Sequence, residues 1–334
     1  MRASLLSDTL IAVGQLQPVW IWGPPGTGKS QLVHKWAKTV GELRDLRACL
    51  LESVDLRGLP KLTENAAVWL PPAFLPRSGK GVLFLDELAQ APIPVQNACL
   101  QLALDRKVGE YTLPEGWHVV AASNRLEDRA GANRTTSALN SRFLHLDLEV
   151  SSEDWIAWAA EKGVSPEVRS FIAFRPSLLH KFDPAERSSP NPRSWEFVSK
   201  LLPKVPGPEA EHPIVSGLVG KGAAAEFLAH RRIYATIPDL NKLLYDNAKV
   251  PEDPSIKHAL IGAATELLRD GVDKKGNKVE VTDKVVGAVC GLFNRLGSEF
   301  TVSAYRQACA IRRDTIQHAE AKKWIVKHTH LFKG

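Results

Sequence analysis

The sequence predicts an α/β protein whose first half is a doubly wound parallel sheet of five strands and whose second half is helical. Three observations carry that expectation. The runs Val19–Trp22, Val82–Leu85 and His118–Ala122 are nearly continuous in apolar residues, as strands covered on both faces must be. Between them, Leu32, Val33, Trp36, Ala37 and Val40, then Val95, Ala98, Cys99 and Leu102, recur at helical spacing and supply the crossovers that parallel strands need. From Ser151 onward the patterning is helical alone.

Taken in order, Ala3–Val13 reads as a short helix leading into the Val19–Trp22 strand, and Leu32–Val40 as the helix after it. Ala48-Cys49-Leu50-Leu51 is a compact apolar run expected to be the second strand. Ser53–Pro76 is an excursion. Asp55–Pro60 is too polar and turn-rich for the core, and Val68-Trp69-Leu70 is a short strand stopped by Pro71-Pro72. Val82–Leu85 is the central buried strand and ends in Asp86-Glu87. Val95–Leu104 is a helix, Lys107–Trp117 a hairpin with a Pro-Glu-Gly turn, and His118–Ala122 a strand running into Ser123-Asn124. Arg125–Asn140 is polar and arginine-rich, with Arg129 and Arg134; Leu144–Leu148 alternates as the fifth strand. Helices are expected at Asp154–Lys162, Pro166–Phe174 and from Arg193 to about Leu202, with a loop over Phe182–Pro192. After the breaker Pro203–Pro208, further helices fall near 222–232, 238–247, 255–269, 282–296 and 300–327. The expected organisation is therefore an α/β domain over 1–150, a helical domain over 151–205 and a helical C-terminal region over 206–334.

Composition narrows the class. Hydrophobic content of 44% and charged content of 24% are globular values in a chain of 334 residues, long enough for two or three units. Cys49, Cys99, Cys290 and Cys309 form no C-x-x-C pair and read as reduced, buried thiols, with no metal site or disulfide framework. No apolar run suits a membrane span, and Gly14, Gln15, Gln17 and Pro18 interrupt the N-terminal apolar stretch, so a cytoplasmic protein is expected. The net charge of +6 is modest, but from Thr301 onward Arg306, Arg312, Arg313, Lys322, Lys323, Lys327 and Lys333 outnumber Asp314 and Glu320. A solvated helical face accounts for that surplus; a surface for nucleic acid or an acidic partner is the other reading. His328 and His330 stand alone beside the terminus and read as tail.

The chemistry concentrates in Gly23-Pro24-Pro25-Gly26-Thr27-Gly28-Lys29-Ser30, which joins the first strand to its helix. The strand–turn–helix setting is what gives G-x-x-x-x-G-K-[S/T] its meaning. Gly26 and Gly28 let backbone N–H groups approach phosphate oxygens, and the helix start adds unpaired amides and the positive dipole end. Lys29 supplies charge to the β- and γ-phosphates of ATP, and the Ser30 hydroxyl is suited to Mg²⁺. Asp86 and Glu87 end a buried strand beside that loop, as a Walker B pair does: Asp86 for Mg²⁺, Glu87 for the attacking water. A polar amide such as Asn124, at the tip of the next strand, can orient that water.

The ordered set Gly23–Ser30, Asp86-Glu87, Asn124, Arg142 and then Arg193 after a proline-rich loop resembles an AAA+ ATPase over roughly residues 1–205. Within that group it is similar to the MoxR branch and its dynein-related relatives. The features are the excursion after the second strand, the hairpin before the Asn124 strand, S-A-L-x-S-R-F (Ser137–Phe143) before the fifth, and P-x-P-R at the lid helix. The resemblance implies that Asn124 is the sensor 1 amide and Arg142 the arginine finger acting on a neighbouring subunit, with Arg134 a rival for that role. It also implies that Arg193 is the sensor 2 arginine. Such proteins assemble as rings, commonly hexamers, and several act as chaperone-like remodellers with a partner bearing a von Willebrand A domain. Three functions follow as expectations: an ATP-hydrolysing ring that remodels a protein partner, a DNA-directed motor or loader, and a nucleotide-gated scaffold with little turnover. The intact Asp86-Glu87 pair speaks against the last.

Overall fold

Alternation within the apolar runs explains how the first half folds. In the computed structural model, Val19, Ile21, Val82, Phe84, Val120 and Ala122 face one side of a sheet, and Trp20, Leu83, Leu85, Val119 and Ala121 the other. Both faces are therefore buried, which a strand achieves only when helices cover the sheet on each side. The structure describes residues 1–128, 135–182, 187–271 and 279–329. Their contacts divide the chain into two compact units, Met1–Val150 and Ser151–Gly334.

The first unit contains strands β1 (Val19–Trp22), β2 (Glu42–Arg47), β3 (Leu59–Leu62), β4 (Ala67–Leu70), β5 (Gly81–Asp86), β6 (Lys107–Val108), β7 (Tyr111–Thr112), β8 (Trp117–Ser123) and β9 (Leu144–Asp147). Its helices are α1 (Ala3–Val13), α2 (Lys29–Val40), α3 (Ser53–Arg57), α4 (Ile93–Leu104) and α5 (Ser137–Asn140). The main sheet has the order β2-β5-β8-β1-β9 with every pairing parallel, so the expected five-stranded α/β sheet is present. Leu6 and Leu10 of α1 and Val33, Trp36, Ala37 and Val40 of α2 close one face. Leu56 of α3 and Val95, Ala98, Cys99 and Leu102 of α4 close the other. Full burial of side chains of this size contributes roughly 1.5–3 kcal/mol each.

The second strand is not where the apolar run placed it. Ala48–Leu50 is a 3₁₀ turn, and β2 is the charged segment before it, with Leu46 its one buried residue. β2 lies at the end of the strand order, and an edge strand needs little apolar surface. The excursion holds α3 and the antiparallel hairpin β3–β4, which leaves Leu59, Leu62, Val68 and Leu70 exposed.

The second unit is helical: α6 (Ser152–Glu161), α7 (Pro166–Phe174), α8 (Pro192–Leu201), α9 (Pro208–Val219), α10 (Lys221–Ala235), α11 (Leu240–Tyr245), α12 (Pro254–Asp270), α13 (Asp283–Asn294), α14 (Ser298–Ile311) and α15 (Ala319–Lys327). α9 was not legible, because Pro213 sits inside it. Its first turn begins at Pro208, where proline's missing N–H costs nothing. The single helix expected over 300–327 is two, separated by a 3₁₀ turn at Arg313–Gln317. Leu260, Leu267, Val289, Leu292, Phe293, Tyr305 and Trp324 belong to the core shared by α11–α15. α7 and α12 are joined by Arg169, which is fully buried and donates to Val164 O, Thr265 Oγ1 and Glu266 Oε2.

All four cysteines are free thiols, as expected, but only Cys99 and Cys290 are buried; Cys49 and Cys309 are half-buried. In the basic C-terminal stretch Arg306, Arg312 and Lys323 pair with Glu153, Asp314 and Glu320. No helix among the described residues is long and apolar enough to cross a membrane.

Candidate functional site

Parallel register brings the C-terminal ends of the strands to one edge of the sheet. Trp22 pairs with Ser123, Asp86 with Ala122 and Arg47 with Asp86. Gly23, Cys49, Glu87 and Asn124 therefore all leave the sheet at the same side, where ligands bind in open α/β sheets.

The loop Gly23–Gly28 connects β1 to α2, which begins at Lys29. Gly26 has φ 74° and Gly28 φ 90°, a left-handed backbone that a residue with a Cβ adopts only at a cost. Thr27 Oγ1 donates to Pro24 O at 2.8 Å and tightens the turn. The Lys29 side chain is buried, and its ammonium donates to Gly23 O at 2.6 Å, Pro24 O at 2.9 Å and Asn124 Oδ1 at 2.8 Å. Residues 95 positions apart in sequence are thus in direct contact, through the pairing of β1 with β8.

Ser30 Oγ donates to Asp86 Oδ2 at 2.8 Å. Burial pushes the Asp86 carboxyl above its ordinary range, with the Ser30 bond opposing it and the nearby Asp45 and Glu87 charges adding to it. A hydroxyl beside a partly desolvated carboxylate is the oxygen donor pair that a hard divalent cation takes, and the cation's charge would favour the ionised carboxylate. No group of three or more His, Cys, Asp or Glu suited to a metal occurs among the described residues.

Glu87 follows β5 in a left-handed conformation, φ 58° and ψ 34°, which is uncommon for a residue with a side chain. Its N–H donates to Asp86 Oδ1 at 3.0 Å, and its carboxylate Oε2 accepts from the Cys49 thiol at 2.8 Å. Ser123 holds the turn from the opposite side. Its buried hydroxyl accepts from Ala89 N at 2.9 Å and Trp20 Nε1 at 3.0 Å, and donates to Ala122 O at 2.7 Å. Neither Cys49 nor Ser123 was singled out by sequence reasoning. Cys49 belonged to a misplaced strand, and Ser123 reads as the small residue before Asn124.

Arg142 is placed elsewhere. It lies just before β9, whose first residue Leu144 pairs with Val19, the start of β1. The phosphate loop leaves the other end of β1, roughly 10 Å away along the strand. Arg142 Nη1 donates to Ala138 O at 2.8 Å and Ser141 Oγ at 2.7 Å, within its own turn, and its buried Nε has no hydrogen-bond partner among the described residues. Arg193 belongs to the second unit, exposed in the first turn of α8, where Asn191 and Ser194 form a capping box. Arg129, Arg134 and His330 lie outside the described residues.

Residues 18–143 match the family model described as AAA domain (dynein-related subfamily). Among solved structures, the chain is similar to NtrX from Brucella abortus in complex with ADP, at 17% identity and a TM-score of 0.41. That match covers 81% of this chain and 66% of the NtrX chain, just under two thirds of its length. It is also similar to a RuvB mutant from Thermotoga maritima, at 17% identity and a TM-score of 0.36, over 97% of this chain and 85% of that one. No curated protein matches the chain.

Proposed function

Residues 18–143 match the AAA domain of the dynein-related subfamily, and from that match we propose that the chain is an ATP-hydrolysing ring protein of the MoxR kind that remodels a protein partner. One observation carries the reading: Lys29, the Ser30–Asp86 pair, Glu87 and Asn124 converge at one edge of the sheet.

The backbone amides of Gly26–Ser30 and the Lys29 ammonium bind the β- and γ-phosphates. A γ-phosphate that takes the ammonium competes with Asn124 Oδ1, which frees the Asn124 amide to orient the attacking water. Glu87 accepts a proton from that water. Ser30 and Asp86 would hold Mg²⁺, which supplies charge compensation on the phosphate oxygens when bound. Arg142 lies at the far end of β1 from its own phosphate loop, which favours action on a neighbouring subunit's nucleotide in a ring, commonly a hexamer in this family. Arg193 would contact the γ-phosphate from the lid. A partner with a von Willebrand A domain is the kind this reading favours.

Glu87→Gln and Lys29→Ala test the reading by phosphate release and equilibrium ATP binding. Glu87→Gln retains binding and loses turnover by on the order of a hundredfold or more, because an amide cannot take the proton. Lys29→Ala weakens binding itself. Parental turnover by Glu87→Gln would refute the assignment.

A further inference from the structure

His145 is exposed on β9, at the end of the strand order, yet both of its ring nitrogens are engaged. Parallel register sets it opposite Trp20, and strand alternation puts Trp22 on the same face. The Trp22 indole N–H donates to His145 Nδ1 at 2.8 Å. The imidazole is therefore neutral with its proton on Nε2, which donates to Asn140 O at 2.8 Å. The ring also lies nearly parallel to Trp20 and Trp22, at centroid distances of 5.6 and 5.9 Å. Trp22 is the residue before Gly23, where the phosphate loop starts, and Asn140 ends α5, the turn that leads into Arg142. Two further contacts hold that turn to β1 and its approach: Gln17 Nε2 donates to Arg142 O at 3.3 Å, and Phe143 packs edge-on against Trp20. The Arg142 guanidinium itself bonds to Ala138 O and Ser141 Oγ, so where the turn sits decides where the guanidinium sits.

We propose that His145 is a positioning residue for Arg142: as a neutral bridge between the Trp22 indole and Asn140 O, it fixes the turn from which the guanidinium reaches a neighbouring subunit's nucleotide. This rests on the ring ATPase reading above. A planar guanidinium must meet phosphoryl oxygens at hydrogen-bond distance, so a turn displaced by about 1 Å is costly to the reaction. An exposed side chain adds little to the core, so the fold itself does not depend on it.

The test measures phosphate release, ATP binding and thermal midpoint for the full-length parent, His145→Ala, Arg142→Ala and Lys29→Ala, alone and in pairwise mixtures. His145→Ala should lower kcat by roughly 10- to 100-fold, with ATP binding within about twofold of the parent and the midpoint little changed. Mixed with Lys29→Ala, which keeps an intact finger, His145→Ala should recover turnover, because its own pocket is whole. Mixed with Arg142→Ala, which offers only a second intact pocket, it should recover none. A variant that had merely lost its fold would recover with neither. Trp22→Phe keeps the ring and removes the N–H; combined with His145→Ala it should lower kcat no further than His145→Ala alone, because both break one bridge. Parental kcat in His145→Ala overturns the inference, as does recovery with Arg142→Ala, additive losses with Trp22→Phe, or no recovery with Lys29→Ala where Arg142→Ala does recover. No turnover in the parent, or no recovery when Arg142→Ala meets Lys29→Ala, overturns the shared-site reading and the inference with it. That recovery beside a fully active His145→Ala removes only the role of His145.

Discussion

Replacing Ser123 by alanine strips one buried oxygen from a point where three elements meet. Ser123 is 1% exposed, and its hydroxyl serves the Trp20 indole, the Ala89 amide and the Ala122 carbonyl at 2.7–3.0 Å. Alanine leaves two donors, Trp20 Nε1 and Ala89 N, without their acceptor in a region closed to water. Each such orphan costs about 1–3 kcal/mol, so the expected destabilisation of the first unit is about 2–6 kcal/mol. For a unit of this size that lowers the midpoint by roughly 10 °C. Urea unfolding followed by circular dichroism measures the loss. A Trp20→Phe background isolates the cause, because phenylalanine has no indole N–H to orphan. There the cost of Ser123→Ala should shrink by about 1–3 kcal/mol. Turnover should fall as well, since Ala89 anchors the turn that carries Glu87. An equal cost in both backgrounds, or a loss below about 1 kcal/mol, refutes the account.

Three further outcomes are expected. Arg169→Ala should destabilise the second unit by about 3 kcal/mol, because a fully buried guanidinium bridging Val164, Thr265 and Glu266 is lost; a change under about 1 kcal/mol in urea titrations would contradict this. Burial holds the pKa of His230 and of His258 down to about 4, with Asp253 opposing at His230 and the His230 charge adding at His258. Between pH 6.5 and 4 the unfolded chain then binds more protons than the folded one, so the second unit is fully stable above about 6.5 and weakens towards 4, by up to about 3 kcal/mol per histidine. Urea midpoints across that range read the slope, and His230→Gln should flatten it; an unchanged slope contradicts the assignment. Arg142→Ala should bind ATP yet lose about 10³ in turnover and regain activity when mixed with Lys29→Ala, while parental turnover per subunit rises with protein concentration. A concentration-independent rate with no rescue excludes a shared site.

Much of this was legible in the chain itself. Gly23–Ser30 and Asp86-Glu87 are contiguous, and their flanking runs Val19–Trp22, Val82–Leu85 and Leu32–Val40 carry the strand and helix periods locally, so loop, strand and carboxylate pair could be placed from sequence. α1 begins and ends where its pattern does. The failures share a cause. β2 was hidden because an edge strand is defined by its neighbour β5 rather than by its own apolar content, and α9 because packing tolerates Pro213 where propensity does not. The partners of the site were hidden for the same reason. Cys49 reaches Glu87 across 38 residues, Ser123 reaches Ala89 across 34, and Lys29 reaches Asn124 across 95. Local spacing determines which groups line the phosphate loop and end the strands. Strand order and register, settled only when β2, β5, β8 and β1 assemble, decide which distant side chains hold those groups in place.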